Sequence, residues 1–255
     1  MFVFPMAGLS SRFTRAGFRK PKFMLDAGGR TLFEHSIAGF QDYFDTQEFL
    51  FVYLDTTVDR EFIEKKCNQL GMPRQNILTV ALDSPTDGQA TTVAEGVIQS
   101  SAARSEPLTI FNIDTIYRSF RHPNFPETEA IQGYLDVFEG EGDHWSFVRP
   151  DVEDETLGRA AEVVEKRRIS NLCSSGLYHF QSAGIFLDEF ARIKETPAEL
   201  LQGRERYIAP LYNDLIERGG TVYYRKIDTQ EIQFSGTPEE YLEFTNANGW
   251  EAERP

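Results

Sequence analysis

The residues best suited to chemistry lie near the start of the chain. Pro5-Met6-Ala7-Gly8-Leu9-Ser10-Ser11-Arg12 is followed by Lys20-Pro21-Lys22. Small residues let backbone N–H groups turn together toward an anion. Ser10 and Ser11 add hydroxyl donors, and Arg12 adds a planar fork that matches phosphate oxygens. Arg12, Arg15, Arg19, Lys20 and Lys22 crowd into one short segment of a chain with 26 Lys and Arg against 40 Asp and Glu, net charge −14. That local reversal of sign suits a triphosphate or pyrophosphate. The segment contains neither G-x-x-x-x-G-K-[ST] nor G-x-G-x-x-G, and its composition equally fits a basic surface loop with ordinary turn residues. Further along, Asp114 follows an apolar run and reads as a turn cap or a cation ligand. Gln89 opens a helical pattern, as a cap or as an amide aimed at a ligand. Glu165-Lys166 sits in the charge-rich run Glu162–Arg168, a composition typical of a solvated edge. The four histidines are scattered, with no Ser/His/Asp constellation. Asp143-His144-Trp145-Ser146 and Arg206-Tyr207-Ile208 read first as packing, with the lining of a small-molecule pocket as the alternative.

Positioning these residues is a task for one domain. The 255 residues are 40% hydrophobic and 26% charged, enough for one core or a core with a smaller lobe. A pI near 4.8 argues against nucleic acid and against an anionic membrane surface. Cys67 and Cys173 are too few for a disulfide framework and read as buried thiols of a cytoplasmic protein. The N-terminus has no basic n-region, and the longest apolar run, Phe49 to Leu54, is far too short for a membrane span.

The hydrophobic pattern alternates strands and helices over residues 1–113. Strands are expected at Phe2–Phe4, Phe49–Leu54, Ile77–Leu82 and Leu108–Ile113, and helices from Leu32, around Phe62–Leu70 and over Ala90–Ala103. Pro5–Gly29 reads as a long loop. Beyond 113 the pattern changes to strands at Ile131–Phe138, Trp145–Val148 and Gly176–Phe180. Helices follow at Ile185–Lys194 and Tyr207–Arg218, then a strand at Thr221–Ile227 and a helix from Pro238. The expectation is a single α/β domain, 1–255, with a mixed, mostly parallel sheet flanked by helices and a small substrate lobe. Residues 1–113 would form one half and 114–255 the other.

These residues carry a resemblance. Pro5-Met6-Ala7-Gly8…Ser11-Arg12-Phe13, Lys20-Pro21-Lys22 and Gly29-Arg30-Thr31-Leu32 resemble the signature of the nucleotidyltransferase family, which includes sugar-1-phosphate nucleotidylyltransferases and CTP:phosphocholine cytidylyltransferases. Gly88-Gln89-Ala90 is similar to the family's base-recognition turn. Phe111-Asn112-Ile113-Asp114-Thr115 is similar to its strand-end motif with a metal-binding aspartate. Val164-Glu165-Lys166 and Ser174-Ser175-Gly176-Leu177-Tyr178 resemble its substrate-binding pair and turn, and Ser235-Gly236-Thr237-Pro238-Glu239-Glu240-Tyr241 its C-terminal G-T-P-E motif. The motifs stand in the family's order from residue 2 to 241. Within the family the chain resembles bacterial enzymes of capsule and surface-polysaccharide synthesis, a subgroup that includes a CTP:phosphoglutamine cytidylyltransferase. Many sugar nucleotidyltransferases carry a second metal-binding aspartate two residues before the glycine of G-T-P. Here that position is Phe234, which leaves Asp228 or Glu231 as the alternative source of a carboxylate.

The resemblance implies a Rossmann-like, GT-A-type fold, a nucleotide-binding first half and an acceptor-binding second half. It implies transfer of a nucleoside monophosphate, CTP favoured, onto a phosphorylated sugar or small metabolite, with loss of pyrophosphate. The attacking phosphate is already an anion, so such a site needs cations and oriented donors rather than a general base. The roles implied are phosphate cradling by Ala7, Gly8, Leu9, Ser10 and Ser11, charge neutralisation by Arg12 and Lys22, and Mg²⁺ held by Asp114. Gln89 and Ala90 would contact the base, and Glu165, Lys166, Ser175 and Gly176 the acceptor. A glycosyltransferase of related fold fits less well, because Asp114 has no partner acid two residues away. A catalytically silent nucleotide-binding subunit is the remaining alternative.

Overall fold

The computed structural model describes residues 1–126, 130–153, 155–250 and 252–253. In chain order its elements are β1 (Phe2–Met6), α1 (Ser11–Arg15), β2 (Asp26–Ala27), β3 (Arg30–Thr31), α2 (Leu32–Ala38), β4 (Phe49–Leu54), α3 (Arg60–Gln69), β5 (Ile77–Leu82), α4 (Gln89–Gln99), β6 (Leu108–Phe111), β7 (Thr115–Tyr117), β8 (Ile131–Glu139), β9 (Ser146–Pro150), β10 (Leu157–Glu165), β11 (Leu172–Phe180), α5 (Ala183–Ile193), α6 (Leu211–Glu217), β12 (Thr221–Lys226), β13 (Ile232–Phe234) and α7 (Pro238–Ala247). They form a mixed α/β fold whose chain gathers into two compact units.

The first unit comprises Met1–Val3, Thr86–Phe111 and His122–Thr229. Its strands run in the order β6-β11-β8-β12-β10-β9, with the first residues of β1 parallel to β6 (Phe2↔Thr109, Val3↔Ile110). β8 and β12 pair in parallel, whereas β11 pairs antiparallel with β6 and β8, and β10 antiparallel with β12 and β9. The sheet is therefore less parallel than expected. No helix intervenes among the described residues between Ile131 and Phe180, and a parallel neighbour needs a crossover connection of roughly a dozen residues or more. β10 escaped the periodicity reading altogether. A register shift between Ala160 and Glu162 breaks its alternation, so a nine-residue strand carries the charges of a solvated run. Ser175 and Gly176 lie where β11 slips register against β8, between Ser174 and Tyr178.

The second unit comprises Phe4–Pro85, Asn112–Arg121 and Gln230–Pro255. β4 is buried at every position and parallel to β5 (Phe49↔Ile77 to Leu54↔Leu82), as its unbroken apolar run requires. β7 and β13 form a short antiparallel pair. α2 begins with a capping box, Thr31 accepting from Glu34 N and Glu34 from Thr31 N, which satisfies two otherwise orphaned donors. Phe13, Phe18, Leu25, Leu32, Ile116, Tyr241 and Phe244 form one cluster. That cluster explains why Pro5–Gly29 is not the plain loop expected. Phe13 and Phe18 anchor α1, and Phe23 buries the 3-10 turn Lys22–Met24, so the basic residues ride on an ordered scaffold.

One polar cluster in the first unit has a consequence for stability. His122 Nδ1 lies 2.7 Å from Tyr134 Oη and His179 Nδ1 lies 2.9 Å from Thr109 Oγ1, with the two imidazoles 5.2 Å apart. Burial pushes His122 down to about 4, helped by the Arg225 charge and the N-terminus. Burial pushes His179 down to about 3, helped by His122. The unfolded chain takes up these protons near the ordinary 6.5 and the folded chain does not. Stability is therefore full above 6.5 and is lost as pH falls toward 4, by up to about 1.4 kcal/mol per pH unit for each ring. Unfolding followed by urea at pH 7 and pH 5 is expected to show this slope, and the His179→Gln variant a shallower one. An unchanged slope would remove the cluster from the account.

Candidate nucleotide-binding and transfer site

The second unit brings together the loop Ala7–Arg12, Lys22 and Asp114. Ala7 is buried at the end of β1, and Gly8, Leu9, Ser11 and Arg12 are exposed. Nothing lies within 4 Å of where a Cβ on Gly8 would point, so this stretch of backbone is open on that side. Ser10 takes a left-handed conformation, φ 49°, at a cost of about 1–2 kcal/mol for a non-glycine residue. Its hydroxyl accepts from Lys22 N at 3.2 Å, which ties the loop to the turn that carries Lys22. Lys22 Nζ donates to Asp114 Oδ2 at 2.5 Å, with the two side chains 21% and 28% exposed. The Arg12 guanidinium makes no hydrogen bond or ion pair among the described residues, although its charge is felt at Asp114. Burial raises the Asp114 carboxyl, but Lys22 and then Arg12 outweigh it and hold the group below the usual carboxylate range. Asp114 is thus an anion at neutral pH.

Asp114 does not sit at the end of its strand, as the apolar run Leu108–Ile113 suggested. β6 stops at Phe111, and Thr115 N donates back to Asn112 O at 3.2 Å. The turn is fixed from outside by Ser235, whose N and Oγ donate to Asp114 O at 2.8 and 3.1 Å. A Cβ on Gly236 would meet Asp114 Oδ2 at 2.9 Å, so a side chain there would push the carboxylate from this position. Gly236 N and Thr237 N both donate to Glu240 Oε2, at 2.7 and 2.9 Å, closing a capping box at the start of α7. The Ser-Gly-Thr-Pro-Glu-Glu motif is therefore a backbone clasp on Asp114, a role no pattern in the sequence indicates. Phe234 pairs with Thr115 in the β13–β7 ladder. Glu231 is exposed, its carbonyl accepting from Arg118 N, and Asp228 belongs to the first unit. Among the described residues no three His, Cys, Asp or Glu side chains gather as a metal cluster.

The other candidates lie in the first unit. Gln89 opens α4 and is half-buried, while Ala90 is fully buried with its N–H donated to Arg206 O at 2.8 Å. Glu165, at the end of β10, is 8% exposed and accepts from Ser146 Oγ. Burial raises its carboxyl more than Ser146 lowers it. Lys166 has φ 53°, and its Nζ donates to Tyr207 Oη and stands 4.3 Å from that ring's centroid. Burial works against the Lys166 charge, but the Tyr207 contact outweighs it and raises the lysine. Burial raises Tyr207 as well, which keeps it a neutral phenol. Ser175 is buried, donating to Asp136 O at 3.2 Å, and Gly176 has φ 86°. Trp145 packs edge-on against Phe138 at 5.2 Å and donates to Glu141 O, as its packing reading requires. Ser146 and Tyr207 are the partners that sequence reasoning did not pair with Glu165 and Lys166.

The chain is 39% identical to the nucleoside-diphosphate-sugar pyrophosphorylase from Vibrio cholerae RC9, covering 96% of this chain and 100% of that one, with a TM-score of 0.88. The chain belongs to this pyrophosphorylase family. It is a nucleotidyltransferase, an enzyme that transfers a nucleotidyl group with release of pyrophosphate, which supersedes the glycosyltransferase and silent-subunit readings. More distant pyrophosphorylase-type structures share the fold. A UDP-glucose pyrophosphorylase complexed with UDP-glucose is 17% identical over 97% of each chain, TM-score 0.72. The inositol-1-phosphate CTP transferase from T. maritima is 15% identical, covers 96% of this chain and 94% of that one, and has a TM-score of 0.69. Scans against protein-family profiles and curated proteins return no match. No helix among the described residues is long and apolar enough to cross a membrane.

For this pyrophosphorylase-family enzyme the Gly236 clasp makes a direct prediction. Gly236→Ala pushes a methyl group against Asp114 Oδ2, so turnover is expected to fall at least about tenfold. The melting temperature should move by only a few degrees, since the backbone φ there is ordinary. Turnover equal to wild type would show that Asp114 needs no clasp.

Proposed function

We propose that this chain is a cytidylyltransferase that joins CMP from CTP to a phosphorylated sugar or small phosphorylated metabolite, for capsule or surface-polysaccharide synthesis. CTP and the capsule role follow from the resemblance to pyrimidine-using bacterial members. The observation that carries the transfer chemistry is the Lys22–Asp114 pair at 2.5 Å beside the open Ala7–Arg12 loop, a cationic cradle in a chain of net charge −14.

In this reading Gly8, Leu9, Ser10 and Ser11 cradle the β- and γ-phosphates, and Arg12, without a hydrogen-bond or ion-pair partner among the described residues, neutralises the departing pyrophosphate. Lys22 stabilises charge at the α-phosphate during in-line attack. Asp114 fits a divalent cation: it is ionised, partly exposed and a hard oxygen donor. Mg²⁺ commonly takes one or two carboxylates and completes its shell with phosphates and water. When bound, the metal supplies positive charge to the phosphate oxygens. With Phe234 in the C-terminal motif, Asp114 is the carboxylate that would hold it. Gln89 and Ala90 belong to the base-recognition turn. Gln89 offers its amide to the base edge, whereas Ala90, its N–H committed to Arg206, serves as a spacer. Lys166 grips the acceptor phosphate, Glu165 accepts hydrogen bonds from acceptor hydroxyl or amide groups, and Ser175 and Gly176 shape that pocket. Residues 1–113 are the nucleotide-binding half and 114–255 the acceptor-binding and C-terminal half, in a Rossmann-like, GT-A-type arrangement. The enzyme acts in the cytoplasm, where nucleoside triphosphates are available.

The test is a pyrophosphate-release screen of ATP, CTP, GTP and UTP against a panel of phosphorylated acceptors with Mg²⁺. CTP with one acceptor class is expected to dominate. Lys22→Ala should lower kcat by about 10²–10³, equivalent to roughly 2.7–4 kcal/mol of barrier. Full activity in that variant would mean that the reacting phosphates lie elsewhere.

A further inference from the structure

Residues 202–207 touch two segments that the proposed function assigns to different substrates. On one side Arg206 lies along the turn Asp87–Ala90. Arg206 N donates to Asp87 O at 3.0 Å, and Ala90 N donates to Arg206 O at 2.8 Å. A Cβ on Gly88 (φ 147°) would meet Arg206 N and O at 2.5 Å each, so the glycine is needed for the two backbones to close. The Arg206 side chain, 11% exposed, ion-pairs with Asp87. It also donates to Ile193 O at 3.3 Å, Lys194 O at 2.6 Å and Thr196 O at 2.9 Å.

On the other side the same short segment holds the end of β10. Gln202 Oε1 accepts from Glu165 N at 2.7 Å. A Cβ on Gly203 would meet Tyr207 Cε2 at 2.9 Å and Lys166 Cδ at 3.6 Å. Tyr207, next to Arg206, accepts from the Lys166 ammonium. Gly203 and Arg204 both have positive φ, 65° and 63°. For Arg204 that conformation is strained and persists only because the surroundings fix it. The helix expected from Tyr207 begins at Leu211 instead, which leaves Arg206 and Tyr207 outside any helix, between their partners.

We propose that the segment 202–207 is a strap that couples nucleotide binding to acceptor binding, with Arg206 as its positioning residue. A base held at Gln89 fixes the Asp87–Ala90 turn. The turn fixes Arg206, and Arg206 sets Tyr207, which parks the Lys166 ammonium for the acceptor phosphate. Linkage makes the effect mutual, so the acceptor tightens the nucleotide by the same factor. The proposal rests on the assignment of Gln89 to the nucleotide and Lys166 to the acceptor.

Amide hydrogen exchange on the full chain tests it, with ATP, CTP, GTP and UTP each added with Mg²⁺. In wild type, the nucleotide that binds is expected to slow exchange at 86–92 and also, by about fivefold or more, at 165–167 and 202–207. In Asp87→Asn, which loses one ion pair at a 57% exposed carboxylate, protection at 86–92 should remain while that at 165–167 disappears. Arg206→Lys should behave in the same way. Protection at 86–92 alone in wild type would overturn the strap and leave the proposed function standing. Protection at 7–22 with none at 86–92 would overturn the Gln89 assignment and the strap with it. Faster exchange at 165–167 in the nucleotide-free variant would reduce Arg206 to a structural brace and overturn the coupling. No protection anywhere with any of the four nucleotides would overturn both readings.

Discussion

A protein of net charge −14 that takes a triphosphate must hold positive charge against its own field. Here the cations crowd between Arg12 and Lys22, and one ion pair, Lys22 with Asp114 at 2.5 Å, fixes where the last of them stands. The two side chains are only about a quarter exposed, so each charge is partly desolvated and each depends on the other. Removing one partner would strand the other half-buried, the situation in which a buried pair matters most. The surrounding structure serves to keep this pair in one place. Ser10 fixes the Lys22 turn, Ser235 fixes the Asp114 carbonyl, and Gly236 leaves room for the carboxylate.

The two units use different physics at their candidate sites. In the second unit the groups are cations and open backbone donors on a short helix anchored by Phe13 and Phe18. Gly8, Leu9, Ser11 and Arg12 are exposed, whereas Lys22 is engaged with Asp114. In the first unit the groups are buried or engaged: Glu165 on Ser146, Lys166 on Tyr207, Ser175 on Asp136. A site whose polar groups are already satisfied internally must exchange those contacts for substrate contacts. That exchange favours ligands with matched donors and acceptors over those that merely carry charge.

Much of this was legible in the chain itself. The fully apolar run Phe49–Leu54 had to be a buried strand, and the basic cluster from Arg12 to Lys22 stood out against an acidic background. The strand β10 was not legible, because a bulge and several charges disguise its alternation. The sheet's direction was also misread as mostly parallel, since the strand patterns between Ile131 and Phe180 did not fix the polarity of their pairing. Asp114 was singled out as a candidate, but its place beyond the strand, in a turn clasped by Ser235, was not legible.

What the sequence determined by itself was which residues are candidates to act: the basic loop, the lysine, the aspartate and the Glu165-Lys166 pair, each a local pattern of residue type and spacing. What only the tertiary structure decided was who faces whom. Lys22 meets Asp114 across 92 positions, Ser235 meets Asp114 across 121, and Arg206 meets Asp87 across 119. Local patterns follow from backbone geometry, which repeats every two to four residues. Contacts at such separations depend on how whole strands and helices bury their apolar faces, and that is a property of the packed chain.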